Sequence, residues 1–391
     1  MPAPEQTERI IHWADAESVP SPALLLAPGM AHHAVDRLRR GLGMRVSYAT
    51  KANAAPRLLT ELAGLVDEFN VTNLAHLRTL LDLGVRPERI ALVHPVLPRE
   101  TLRAAAALGA TRFVVDDERG FDVLRSVIDR PRVTIRVLPP APGQSARSVV
   151  RFGNTVDAVE DLAITVAGAG ATVEALSFFV GAAGKDLEAG TPFRLGVDLV
   201  AELHGKLAAR GLFVPTINIG GGFPGAQRQF HQRHPAFFPG IADRLVRRFG
   251  DEVDFLCEPG RYLSEPTLIL FTRVIADRVL GERRLVHVDA SAYATLFESC
   301  FIGLGADPPM VRARPGPPAR TADVVGPLMD SFDVVRRQAD LPPLEPGAPL
   351  LVPNVGAYAF GYSATPEGLV PPPVVELPDR LSAAFQDVWF P

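Results

Sequence analysis

The sequence has very little cysteine: only Cys257 and Cys300 occur in 391 residues. Two thiols cannot build a disulfide framework or a cysteine metal site, and a reducing cytoplasm is the expected setting. Long apolar runs are also missing. Charge or proline breaks each stretch well before the ~18–20 residues that a membrane-spanning helix needs, so no membrane partner is expected. There is no surplus of positive charge. Forty basic and 44 acidic residues leave a net charge of −4, which gives no electrostatic case for nucleic acid. The first twenty residues carry acids and a tryptophan where a secretory signal would carry a basic start and an apolar core. Histidine is sparse, and the H-x-x-H spacing of His231 and His234 falls in a proline-broken stretch, so no metal site is expected.

What is present fits a packed core: 47% of residues are hydrophobic and 21% charged. Short apolar runs alternate with stretches of helical period. The runs cover residues 45–53, 67–73, 89–95, 112–117, 133–139, 175–181, 216–222 and 254–260. Between them, NLAHLRTLLDLG puts Leu74, Leu77, Leu80 and Leu81 on one face, with Gly84 placed to end the helix. Eight strand–helix units predict a (β/α)8 TIM barrel, and uniformly apolar runs suit parallel strands covered by helices. A doubly wound sheet would carry a GxGxxG turn after the first strand, and RVSYATKANAAP has none. After Tyr262 short β-like runs separated by turn residues take over. The expected division is an α/β barrel over residues 22–262 and a β-rich domain, sandwich or barrel, from 1–21 and 263–391. The early run PALLLAP is a candidate strand of the second domain.

Active sites of such barrels sit at the C-terminal ends of the strands. The polar and glycine residues gather there: Lys51, Asn70, His94, Asp116, Arg136, Gly181, Gly220 to Gly222, and Glu258 to Arg261. Position alone leaves Lys51 open between a lysine snorkelling to the rim and a desolvated Schiff-base amine. Three glycines directly on a strand end, in INIGGGFPG, favour close approach of backbone amides to a phosphate over a merely flexible turn. Glu258 and Arg261 in CEPGRY read either as an internal ion pair or as a ring-nitrogen and phosphate partner.

Taken in order, YATKAN, SFFVG, INIGGGFPG, CEPGRY, VVGPLMDSFD and PNVGAY resemble the motifs of the fold-type III pyridoxal-phosphate (PLP) decarboxylases. That family includes ornithine, arginine and diaminopimelate decarboxylases. The resemblance runs from about Pro20 to near the C-terminus. It implies that Lys51 carries pyridoxal 5'-phosphate as an internal aldimine. Gly220, Gly221, Gly222, Arg261 and Tyr358 would hold the phosphate, Glu258 the pyridine nitrogen, and Arg136 and Phe179 the rest of the cofactor. It implies a homodimer with shared sites, in which Met329 and Asp330 reach the partner's cofactor. An amino-acid-like substrate would lose CO2 by way of an external aldimine and a quinonoid. A racemase or epimerase on the same platform, or a non-catalytic regulator, are the alternatives.

The sequence departs from the family pattern in places that bear on substrate. Phe179 replaces a stacking histidine and Ala182 a phosphate-binding serine. Met329 stands where a proton-steering cysteine is usual, and methionine has no proton to give. Asp330 matches one of two acids that clamp a distal amine. The second falls at Ala290 when aligned on Tyr293, or at Asp289 with a one-residue slip. Asp330, Asp289 and Tyr293 are therefore the candidate substrate contacts. The losses point to a specialised or modified amino acid of a biosynthetic pathway.

Overall fold

The computed structural model describes residues 4–139, 151–181, 190–225, 230, 234–296, 311–314, 316, 318–359, 361 and 364–382. The chain divides into two compact units. One is Val35–Phe223 with Phe230–Gly260; the other is Met1–Ala34 with Pro224–Gln229 and Arg261–Pro391.

In chain order the first elements are α1 (Pro4–Ala16), β1 (Ala23–Leu26) and α2 (Met30–Leu42). The barrel strands follow: β2 (Arg45–Ala49), β3 (Glu68–Val71), β4 (Ile90–Leu92), β5 (Arg112–Val115), β6 (Arg132–Arg136), β7 (Thr172–Ser177), β8 (Thr216–Asn218) and β9 (Asp254–Cys257). Six lie within the expected runs, while β6 starts one residue before its run and β7 three residues before its own. They pair in sequence order, all parallel, and β9 closes back onto β2. Helices α3 (Pro56–Ala63), α4 (Leu74–Asp82), α5 (Arg99–Ala107), α6 (Glu118–Arg125), α7 (Val156–Gly168), α8 (Thr191–Ala209) and α9 (Phe237–Phe249) alternate with them.

Local chemistry sets the helix starts. Asn73 caps α4 by accepting from the His76 amide at 2.9 Å, and Asp117 caps α6 by accepting from Gly120 at 2.7 Å. On α4, Leu77 and Leu80 are buried while Leu74 and Leu81 are half-buried, so the apolar stripe is narrower than its spacing suggests. Gly84 does end the helix, with φ +81°, a conformation that favours glycine.

The barrel's N-terminal end is closed by charge rather than by hydrocarbon. Arg112, at the start of β5, reaches Glu68 Oε2 at 2.8 Å and also pairs with Glu174. Arg132 meets Glu174 Oε2 at 3.2 Å, and Arg45 pairs with Glu68. Arg112 and Glu68 are 8% and 3% exposed in their side chains, so each carboxylate depends on its guanidinium.

The other unit is a mixed sheet. Its strands are β1 together with β10 (Leu268–Leu280), β11 (Arg283–Val288), β12 (Arg312–Ala313), β13 (Arg320–Val325), β14 (Val334–Leu341), β15 (Pro349–Pro353) and β16 (Val374–Glu376). The order is β12-β15-β10-β11-β13-β14, with β1 against β10 and β16. The PALLLAP run thus joins this sheet, where Leu24 pairs with Leu270. Alternation along the strands feeds two cores. Leu24, Leu26, Leu268, Leu270, Leu350 and Val352 face one. Ala23, Leu25, Ile269, Phe271 and Leu351 face the other, beneath Ile10, Ile11 and Ala14 of α1. No helix among the described residues is long and apolar enough to cross a membrane.

Replacing Arg112 with alanine leaves two buried carboxylates without their shared cation. The expected loss is about 3–5 kcal/mol in denaturant unfolding. An unchanged unfolding midpoint would show that the network does not hold the barrel.

Candidate active site

β2 ends at Ala49 and passes into a tight turn, Thr50–Ala52, that carries Lys51. The turn is fixed from below. Tyr48 Oη, fully buried, donates to the Asn53 carbonyl at 2.9 Å, and the Ala49 amide donates to Pro259 O at 3.1 Å. Lys51 is exposed at the open C-terminal end of the barrel, where a ligand can reach it, yet protein surrounds it on most other sides. That desolvation is the main cause of a lowered amine pKa. Arg136 and Arg151 lower it further, and Glu258 opposes them.

Glu258 follows directly on β9. Its Oε1 accepts from Asn218 Nδ2 at 2.8 Å, and Asn218 Oδ1 accepts from the Gly220 amide at 2.9 Å. Asn218 was not among the expected site residues. Its signal was an amide within the buried strand TIN, two residues before a glycine. The glycine loop itself is tightly packed. A Cβ at Gly220 would strike Phe178 O, at Gly221 Glu258 O, and at Gly222 Gly181 O. Gly220 and Gly222 also have φ of +68° and +88°. Neighbouring strands therefore already require all three glycines. Among the described residues, the amides of Gly221 and Gly222 donate to no protein acceptor.

Beside Lys51 lies a cluster of rings and cations. The Arg136 guanidinium stands 5.3 Å from the Phe179 ring and 5.8 Å from Phe152. Arg151 lies 5.2 Å from Phe152 on its own account, and His94 meets that ring edge-on at 5.1 Å. The Phe152 segment is moored by Asp116, whose Oδ2 accepts from the Gly153 amide at 2.8 Å. Asn70 sits buried on β3 and donates weakly to Ser47 O at 3.4 Å. Ala182 and His231 lie outside the described residues.

The sheet unit holds the remaining expected residues. Arg261 begins a short helical turn; its guanidinium stands 5.3 Å from the Tyr358 ring and 3.6 Å from buried Glu265. Tyr358 adopts φ +60° in a loop pinned by the Gly356 amide to Glu265 O at 3.0 Å. Tyr293 Oη donates to Asp330 Oδ2 at 2.5 Å, which pushes the phenol up to about 12 and lowers the carboxyl. Asp333, also not foreseen, anchors the Asp330 loop by accepting from Ser291 Oγ and the Ala292 amide at 3.0 and 2.8 Å. The loop tip leaves Met329 92% and Phe332 70% exposed. Asp289 has one oxygen tied to β10: its Oδ1 accepts from Thr272 Oγ1 at 2.6 Å and the Arg273 amide at 3.0 Å. Ala290 is fully buried.

Residues 31–265 match the family model described as pyridoxal-dependent decarboxylase, pyridoxal binding domain. Over 352 residues the chain is 28% identical to the chloroplastic ornithine decarboxylase of Nicotiana glauca, covering 86% of this chain and 79% of that one. It is 31% identical over 343 residues to the diaminopimelate decarboxylase of Deinococcus radiodurans, with 85% and 83% covered. Its fold is similar to that of the Paramecium bursaria Chlorella virus arginine decarboxylase solved with agmatine. There the TM-score is 0.85 at 20% identity, covering 95% of this chain and 100% of that one.

Pyridoxal phosphate needs an amine, an anion cradle and a partner for its ring nitrogen. The barrel offers an accessible amine of lowered pKa, two backbone amides without acceptors among the described residues, and a carboxylate held by an amide. These residues fit the group.

The Lys51 environment can be read without any ligand. Trace acylation of Lys51 against pH is expected to give a midpoint below the ordinary 10.5. Removing the opposing charge in Glu258→Gln lowers it further, and removing a cation in Arg136→Met raises it. A wild-type midpoint at or above the ordinary value would contradict the desolvated amine.

Proposed function

The chain belongs to the pyridoxal-dependent decarboxylase family and is a PLP-dependent amino-acid decarboxylase; on that premise we propose that Lys51 holds the cofactor and that the substrate is a specialised amino acid. The observation that carries the site assignment is the position of Lys51 at the barrel's open end, on the turn after β2, with the amide-held Glu258 carboxylate at the end of neighbouring β9. When bound, pyridoxal phosphate supplies an aldehyde for an amine and a ring that accepts the electron pair left as the α-carboxylate departs.

The protein's own groups do the rest. Lys51 Nζ, more readily deprotonated than a free lysine, is the amine that gives way to the substrate's. Glu258 holds a proton at the ring nitrogen, which raises the ring's capacity to accept electrons. The amides of Gly221 and Gly222, without a protein acceptor among the described residues, bind phosphate oxygens. Phe179 offers an apolar face to the ring, and Arg136, packed on it, adds positive charge beside the cofactor.

The substrate reading rests on the acids. Asp289 has its Oδ1 tied to β10 and Ala290 offers no carboxylate, so Asp330, exposed on its loop, is the more available acid of the expected pair. Tyr293 already occupies one of its oxygens. A simple diamine precursor therefore finds a poor clamp for its distal ammonium. In a CO2-release screen, ornithine, lysine and arginine are expected to have kcat/KM at least ~10-fold below the best substrate. Efficient turnover of any of the three would overturn the specialised reading.

The exposed Met329 and Phe332 beside Asp330 support a homodimer in which this loop completes the partner's site. Mixing inactive Lys51→Ala and Asp330→Ala proteins is then expected to restore about a quarter of wild-type activity, from half the dimers carrying one intact site each. No recovery on mixing, with subunit exchange verified by native mass spectrometry, would place both residues in one protomer's site.

A further inference from the structure

We propose that Asn218 is a positioning residue that decides which oxygen of Glu258 is left to hold a proton toward the cofactor's ring nitrogen, and that it couples that oxygen to the glycine loop. The inference rests on the cofactor assignment above.

A backbone group sets the order. The Gly220 N–H can only donate, and at 2.9 Å it meets the side-chain oxygen of Asn218. A primary amide has one oxygen end and one nitrogen end, so this bond turns Nδ2 the other way. Nδ2 then lies 2.8 Å from Glu258 Oε1. It too can only donate, so Oε1 must accept. Any proton on Glu258 is thereby directed to Oε2, the one oxygen not engaged by the amide.

The surroundings make this arrangement rigid. Asn218 is 3% exposed, and β8 is paired with β7 on one side and β9 on the other. The Glu258 amide donates to Gly220 O at 2.7 Å, which closes a ring of three hydrogen bonds through Asn218, Gly220 and Glu258. Neither a turn of the amide nor a shift of the loop is available without breaking one of them.

Two substitutions separate the roles. Asn218→Asp keeps an oxygen for the Gly220 amide but has no donor for Glu258. Asn218→Leu loses both bonds. Each holoenzyme would be titrated by visible absorbance against pH, assayed for kcat and KM, and its apoprotein titrated with PLP by quenching of protein fluorescence. For Asn218→Asp the expected result is wild-type PLP affinity, a titration midpoint moved up by the added carboxylate, and kcat lower by about 10–100-fold with KM little changed. In a Glu258→Gln background the same substitution lowers kcat no further. Asn218→Leu is expected to bind PLP more weakly as well; should it fail to fold, Asn218→Asp decides alone. A wild-type midpoint and kcat in Asn218→Asp, or an equal loss in the Glu258→Gln background, would overturn the proposal. If no amino acid releases CO2 from the wild type, the substrate reading fails by itself, and the midpoint and affinity still decide the role of Asn218.

Discussion

The pairing of β9 back onto β2 is the constraint on which the site depends. Arg45 and Val46 register with Leu256 and Cys257, and the Ala49 amide bonds to Pro259 O. Lys51 and Glu258 come from opposite ends of the barrel sequence. Only closure of a parallel sheet brings both strand ends to the same rim. The register matters as well as the closure. A slip by one residue would turn the strand's lumen-facing side chains outward. The charged network of Arg112, Glu68 and Glu174 at the opposite end is part of the same constraint, because Arg112 and Glu68 begin their strands and Glu174 lies two residues into β7.

Closure also explains the electrostatics. At the N-terminal end carboxylates and guanidiniums are paired one against another, which makes burial tolerable. At the C-terminal end Lys51 stands with Arg136 and Arg151 against the carboxylate of Glu258. Desolvation and like charge together disfavour its ammonium form. An amine that gives up its proton readily and an amide-held carboxylate are opposite demands, and the barrel meets them on neighbouring strands.

Much of the architecture was legible in the sequence because parallel barrel strands must be apolar throughout. All eight runs became strands, and PALLLAP joined the sheet. Motif order identified Lys51, the glycine loop and Glu258 as a group, since such motifs mark strand ends. Three things were not legible. The glycines invite a phosphate reading, yet packing against Phe178, Glu258 and Gly181 alone demands them. Asn218 looked like part of an apolar strand, because a side chain's lumen partner is set by register with β9, not by its neighbours in sequence. Asp289 looked wholly available, and only the pairing of β10 with β11 shows Thr272 and Arg273 holding its Oδ1.

The central claim is that Lys51, and no other amine, carries the cofactor. The chain has just three lysines, Lys51, Lys185 and Lys206, which makes the claim unusually direct to test. The PLP-loaded protein would be reduced with borohydride, digested and mapped by mass spectrometry. A pyridoxyl group on the peptide containing Lys51, and on neither other lysine peptide, is the predicted result. A label on Lys185 or Lys206, or on none of the three, would contradict the account.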